Sequence, residues 1–193
     1  FTHHEQAAAI AAESYARLSN RPALVNVTTG PGGVNALNGV YGAYVDSIPM
    51  VIVSGQVKRE TIAGRLPIPL RQLGDQEVDI VSMVRGITKY AVVLDNPLDA
   101  RKVTEKAIYL ATRGRPGPVW IDVPIDVQAA PVDPDALEGF DPAEDDGQGE
   151  VPNNKAELGT LSGAALDAEV AAMLAELCAA ERPVVLAGAG VRL

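Results

Sequence analysis

Glu5 stands at the head of an alanine-rich run, directly after a histidine pair, His3 and His4. A carboxylate placed there can do general acid or base work, or can simply sit at the positive end of a helix. For a lone glutamate the second role is the commoner. Further on, Thr28-Thr29-Gly30-Pro31-Gly32-Gly33-Val34-Asn35 sets a glycine-rich loop between a candidate strand and a candidate helix, the arrangement in which backbone amides face a ligand. A dinucleotide fingerprint would want a third glycine where Asn35 stands and an acid closing the next strand, which instead ends in Ser54-Gly55. A structural turn and a ligand loop are both open at this point. Gln76, in Gln76-Glu77-Val78-Asp79, offers either a polar helix cap or a group reaching into a pocket. Two adjacent histidines without a third ligand seldom hold a metal, so His3 and His4 stay unassigned and no metal site is expected. The single cysteine, Cys178, has no partner in the chain and reads as a buried structural thiol in an Ala/Leu-rich helix. Asp46 reads as a loop tie, and Lys58 and Arg59 as solvated charges.

The elements that must position these groups follow from periodicity and breakers. Glu5 to Leu18 has strong helix composition and ends at Ser19-Asn20-Arg21-Pro22. Ala23 to Thr28 is a short apolar strand running into the glycine loop, and Val34 to Val45 carries apolar residues at helical spacing, with Gly39 and Gly42 suited to close packing on a sheet. Pro49 to Ser54 is a second strand, Gly55 to Asp75 a long loop, Glu77 to Met83 a short helix, and Tyr90 to Leu94 a third strand. Asn96-Pro97-Leu98-Asp99 starts a helix by capping, and Gly114 closes it. Pro118 to Val123 completes the set. Continuous apolar strands separated by helices imply a doubly wound α/β fold, with a mostly parallel sheet covered on both faces.

Composition bounds the rest. The 193 residues are 47% hydrophobic with a formal charge of −9, suited to a globular α/β chain. From Asp133 to Glu157 nine acids face one lysine, a net of −8, so the acidity belongs to one segment and no basic patch is left for nucleic acid. No apolar run reaches membrane-spanning length, and Phe1 begins without the basic and apolar regions of a signal peptide. A cytoplasmic protein with no membrane partner is expected. Residues 1–130 are expected to form one domain, 131–163 an acidic linker, and 164–193 the beginning of a second α/β domain, with a helix over Ala164 to Ala180 and a strand over Pro183 to Ala187 ending at Gly188-Ala189-Gly190.

Read together, several segments resemble the acetolactate synthase branch of thiamine diphosphate enzymes. They are His4-Glu5-Gln6-Ala7-Ala8-Ala9, Ser14-Tyr15-Ala16-Arg17, Thr29-Gly30-Pro31-Gly32, Asp46-Ser47-Ile48-Pro49-Met50, Ser54-Gly55-Gln56-Val57 and Gln76-Glu77-Val78-Asp79-Ile80, in the family's order. Thr88-Lys89-Tyr90 and Gly114-Arg115-Pro116-Gly117-Pro118-Val119 through Asp122-Val123-Pro124 extend the likeness to Gln128, and Arg182 to Gly190 is similar to the start of the family's central domain. The resemblance implies that residues 1–130 bind the cofactor's pyrimidine ring. It implies that Glu5 is the carboxylate hydrogen-bonded to ring nitrogen N1′, favouring the imino tautomer that takes the thiazolium C2 proton to make the ylid. Gly30, Pro31, Gly32 and Asn35 become pyrimidine contacts, and Gln76 a group facing the thiazolium and substrate. A 2-oxo acid or related carbonyl substrate, magnesium held outside this chain, room for FAD, and a homodimer or homotetramer are also implied. The contrasting reading is a non-catalytic nucleotide-binding or regulatory α/β module, which has no use for Glu5.

Three departures bear on these expectations. Where acetolactate synthases typically carry a phenylalanine before the glutamine, Asp75 stands here, and the Lys58 to Asp75 loop is longer than its equivalent. Both lie beside the expected substrate, leaving room for a related decarboxylase, lyase or carboligase. The family's first strand and its magnesium- and diphosphate-holding domain are also missing, so the chain is expected to be a fragment, inactive by itself.

Overall fold

A computed structural model describes residues 2–151 and 162–188, which fall into two compact units, 1–152 and 153–193. In the first, helix α1 (Glu5–Ser19) leads to strand β1 (Ala23–Val27), helix α2 (Pro31–Val45) and strand β2 (Met50–Gln56). Helix α3 (Ile80–Val84), strand β3 (Tyr90–Val93), helix α4 (Ala100–Thr112), strand β4 (Pro118–Pro124) and the short helix α5 (Ile125–Gln128) follow. The four strands are all parallel, in the order β1-β2-β4-β3. This is the α/β fold expected.

Alternation along the strands sends the two faces of the sheet to different helices. Met50, Ile52, Val25, Val27 and Trp120 join Ala9, Ala36, Val40, Ile80 and Val84 in a core beneath α1, α2 and α3. Val51, Val119 and Ile121 pack with Ala107 and Ala111 beneath α4. Polar residues at the ends of two strands share the first face: Ser54 and Gln56 follow Ile52 by steps of two, and Asp122 follows Trp120. The hydrophobic period therefore carries a buried carboxylate to the ends of the strands.

Several boundaries differ from those expected. Helix α2 begins at Pro31 rather than Val34, because proline's fixed φ suits the first helical position. Gly39 packs on α1 and not on the sheet: a Cβ there would come within 2.6–2.7 Å of Ala9 and Ile10. Helix α3 starts at Ile80, where the Asp79 side chain accepts the Ser82 N–H, so Gln76 and Glu77 precede it as loop. Asn96 caps as expected, accepting from Leu98 N–H, although a 3-10 turn over Pro97–Asp99 precedes α4.

The acidic segment departs most. Instead of an open connection, residues 139–151 run back along the first unit. Ala91 donates to Gly149 O and Val151 to Lys89 O, pairing the segment antiparallel with the free edge of β3 at Tyr90 and Glu150. Buried Lys106 pairs with Asp145 and lies 3.7 Å from Glu150, beneath the Tyr90 ring. The Phe140 ring packs at a tilt against Tyr109, centroids 5.5 Å apart, and the Phe140 N–H reaches Glu105 at 2.8 Å. An acidic linker was expected here; the buried lysine draws part of it onto the fold. Residues 152–161 of the segment lie outside the described residues.

In the second unit, helix α6 (Ala164–Ala179) forms as expected, yet every residue described there is exposed. Cys178 is therefore exposed rather than buried, since this short unit has too little chain to cover a helix. Residues 183–188 form no strand, having no pairing partner among the described residues of their unit. Ala189 and Gly190 lie outside the described residues.

Candidate active site

The start of α1, the β1–α2 loop and the segment before α3 converge on one cleft, lined by Glu5, Gln6, Pro31, Asn35, Asn38 and Gln76 among others. Residues far apart in sequence meet there for local reasons. Glu5 opens α1 and Asn35 lies in the second turn of α2, so the α1–α2 packing brings the Asn35 amide to Glu5 Oε2 at 2.8 Å. That hydrogen bond holds the Glu5 carboxyl below its ordinary range, aided by a backbone amide and slightly by His4, with partial desolvation working against them. The group is an ionised carboxylate at neutral pH. His4 adjoins the site through Asn35 Nδ2, 3.5 Å from its ring nitrogens.

Gly30 takes a left-handed φ of 56°. A Cβ there would come 2.0 Å from the Gln76 carbonyl oxygen, so the absence of a side chain lets the two loops press together. Gln76 is itself left-handed, at φ 58°. Gly32 completes the cradle: a Cβ on it would meet Thr28 Cγ2 at 2.6 Å and stand 3.5 Å from Glu5 Oε1. The Asn35 bond occupies Oε2 and leaves Oε1 facing the space over Gly32. A flat ring entering the cleft between Glu5, Pro31 and Asn35 could present a ring nitrogen to that oxygen, so the residues fit an aminopyrimidine.

Of the expected site residues, Glu5, Pro31, Gly32, Asn35 and Gln76 line one cleft, and Gly30 is buried behind it against the Gln76 backbone. Behind it stands a buried network that sequence reasoning missed, joining Thr29, Gln56, Ser54, Asp122 and Trp120. An aspartate at an inward position of an apolar strand, two residues after a tryptophan, was the available signal. Asp46 ties to Arg17 at 2.6 Å as expected, whereas Arg59 is not merely solvated, since its Nε meets Asp126 at 2.6 Å.

Residues 1–83 match the family model described as thiamine pyrophosphate enzyme, N-terminal TPP binding domain. Over 189 residues the chain is 36% identical to an acetolactate synthase large subunit of Lactococcus lactis, covering 97% of this chain and 29% of that protein. The chain belongs to the acetolactate synthase-like thiamine pyrophosphate enzymes. A probable acetolactate synthase large subunit of Methanocaldococcus jannaschii is 37% identical over 194 residues, 98% of this chain and 29% of its own. A chloroplastic acetolactate synthase of Arabidopsis thaliana is 41% identical over 128 residues, 65% of this chain and 18% of its own. This thiamine pyrophosphate enzyme chain therefore spans under a third of the length of these relatives. Among the described residues no helix is long and apolar enough to cross a membrane.

Proposed function

We propose that the protein carrying these residues cleaves or joins the carbon–carbon bond beside a carbonyl, acting on a 2-oxo acid or related substrate as a transferase or lyase. Thiamine diphosphate, when bound, supplies an acidic C2–H whose removal leaves a carbanion able to attack a carbonyl. Glu5 is the catalytic residue of this chain: its ionised Oε1 would accept a hydrogen bond from N1′–H, which favours the imino tautomer whose exocyclic nitrogen can take the C2 proton. Asn35 keeps that carboxylate charged and oriented through Oε2. Pro31 and Gly32, with the Gly30 backbone behind them, would hold the pyrimidine ring, and Gln76 would face the thiazolium and substrate. The observation that carries the reading is the Glu5–Asn35 pair in a cleft that Pro31, Gly32 and Gln76 also line.

On this reading residues 1–130 are the pyrimidine-binding domain and 164–193 begin a central domain, with 131–163 joining them. Magnesium and the diphosphate are assigned to protein beyond this chain, as is any FAD. A cytoplasmic homodimer or homotetramer, without nucleic-acid or membrane partners, fits the family. The test is to load the intact protein with thiamine diphosphate and magnesium and follow C2 hydrogen–deuterium exchange and consumption of 2-oxo acids. Exchange no faster than that of free cofactor, with tight binding of a nucleotide instead, would sink the proposal.

A further inference from the structure

The buried network behind the cleft runs from the middle of the sheet to the backbone of both site loops. Asp122, on β4, is 1% exposed and accepts from Ser54 Oγ on one carboxylate oxygen and from Gln56 Nε2, at 2.8 Å, on the other. Ser54 in turn accepts from the Trp120 indole N–H at 2.7 Å. Every atom of Gln56 is thereby oriented: with Nε2 directed to Asp122 and to the Val78 carbonyl at 2.9 Å, Oε1 must point at the glycine loop. There it accepts from Thr29 Oγ1 at 3.0 Å and from Val57 N–H at 2.9 Å. Thr29 immediately precedes Gly30, and Val78 follows Gln76 by two residues, so one amide group clamps both loops that form the cleft.

A carboxylate suits this post better than its neutral amide. Gln56 needs an acceptor at Asp122 to fix which of its ends faces Thr29, and Ser54 needs one for its O–H, because its lone pairs already serve Trp120. An asparagine at 122 has only one acceptor oxygen, so either Ser54 keeps an unused O–H or Gln56 turns over and meets Thr29 with its amide nitrogen.

We propose that Asp122 is a positioning residue for cofactor activation, acting through Gln56 and the Thr29 hydroxyl to hold the Gly30 and Gln76 loops at the spacing Glu5 requires. The inference rests on the reading of the site given above. Asp122 itself bonds Ser54 and Gln56 and does not line the cleft.

The test measures C2 hydrogen–deuterium exchange of thiamine diphosphate on the intact holoenzyme. Thr29→Val keeps the branched shape but removes the hydroxyl, whereas Thr29→Ser keeps the hydroxyl and removes a methyl. A positioning role predicts that Thr29→Val slows exchange about tenfold while Thr29→Ser stays within about twofold of wild type. A merely structural role for side-chain bulk predicts the reverse order. Asp122→Asn should slow exchange to a similar degree, and Thr29→Val with Asp122→Asn should be little slower than either alone, since both cut one chain. Should Asp122→Asn fail to fold, the two Thr29 variants still decide the matter. Thr29→Val exchanging like wild type while Glu5→Gln is crippled overturns this inference alone. Glu5→Gln exchanging like wild type overturns the site reading and this inference with it.

Discussion

At the scale of the residue, Glu5 gains its character from a neighbour thirty positions away. Asn35 lowers its proton affinity and fixes one oxygen, leaving the other for a ring nitrogen. Glu5→Gln keeps the size and can still hydrogen-bond Asn35, but it removes the charge that favours proton transfer at N1′. Exchange of the cofactor C2 proton in the intact enzyme should fall by orders of magnitude, with the far-UV circular dichroism spectrum unchanged. A rate within a few fold of wild type would refute the assignment. Asp122 gives a second residue-scale prediction, about stability. Burial raises its carboxyl from 3.8 to about 6, against the pull of Ser54 and Gln56 and with added repulsion from Asp79. The folded state therefore binds this proton more tightly than the unfolded chain does. Its contribution is fully present below about pH 4 and is lost as pH rises through about 6, on the order of 3 kcal/mol in all. Urea unfolding of wild type and Asp122→Asn between pH 4 and 7 should show that fall in wild type only; parallel curves would refute it. The two aspects differ in legibility. Motif order put Glu5, Asn35 and Gln76 forward as candidates, and they line one cleft, whereas the partners of the inward-facing Asp122 are set by cross-strand register, which pairs Ser54 with Asp122.

At the scale of the element, strands and helices were legible because each has its own period and its own breakers. The acidic segment was not, since its conformation is set by a partner on another element. Lys106 sits on α4 among alanines at a buried position, and from sequence it reads as an ordinary helix lysine. In the structure it anchors Asp145 and Glu150, and with them the short antiparallel pairing that covers the edge of β3. Lys106→Met should keep the apolar stem of that side chain while freeing residues 141–151. The loss of a charged hydrogen bond to partly buried acids is expected to cost about 1–3 kcal/mol. Limited proteolysis should then cut within 141–151 in the variant well before wild type is cut there. Equal cleavage in both would show that the Phe140–Tyr109 contact and the backbone pairing hold the segment without the lysine.

At the scale of the whole molecule, the proposed function makes substrate choice turn on what the Lys58–Gln76 excursion presents to the cleft. This stretch holds only two 3-10 turns, yet it is well tied: Arg59 to Asp126, Arg65 to Asp95, and the Glu77 carboxylate to the N–H groups of Ala63, Leu73 and Gly74. Anchored at both ends, it delivers Asp75 and Gln76 beside the cleft as exposed residues, with Gln76 in its left-handed turn. A phenylalanine in place of Asp75 would offer an apolar wall against which a second small 2-oxo acid could settle. An aspartate instead disfavours a carboxylate beside it and favours an acceptor that is neutral or bears hydroxyls. The intact enzyme given pyruvate as its only substrate should therefore form little acetolactate, even with thiamine diphosphate and magnesium saturating. Acetolactate can be quantified after acid decarboxylation to acetoin, alongside the pyruvate consumed. Asp75→Phe should raise the acetolactate yield per pyruvate consumed by about tenfold or more. Efficient acetolactate formation by the wild-type enzyme, with no gain from Asp75→Phe, would show that Asp75 does not set the acceptor and that the pocket is closed by groups beyond this excursion.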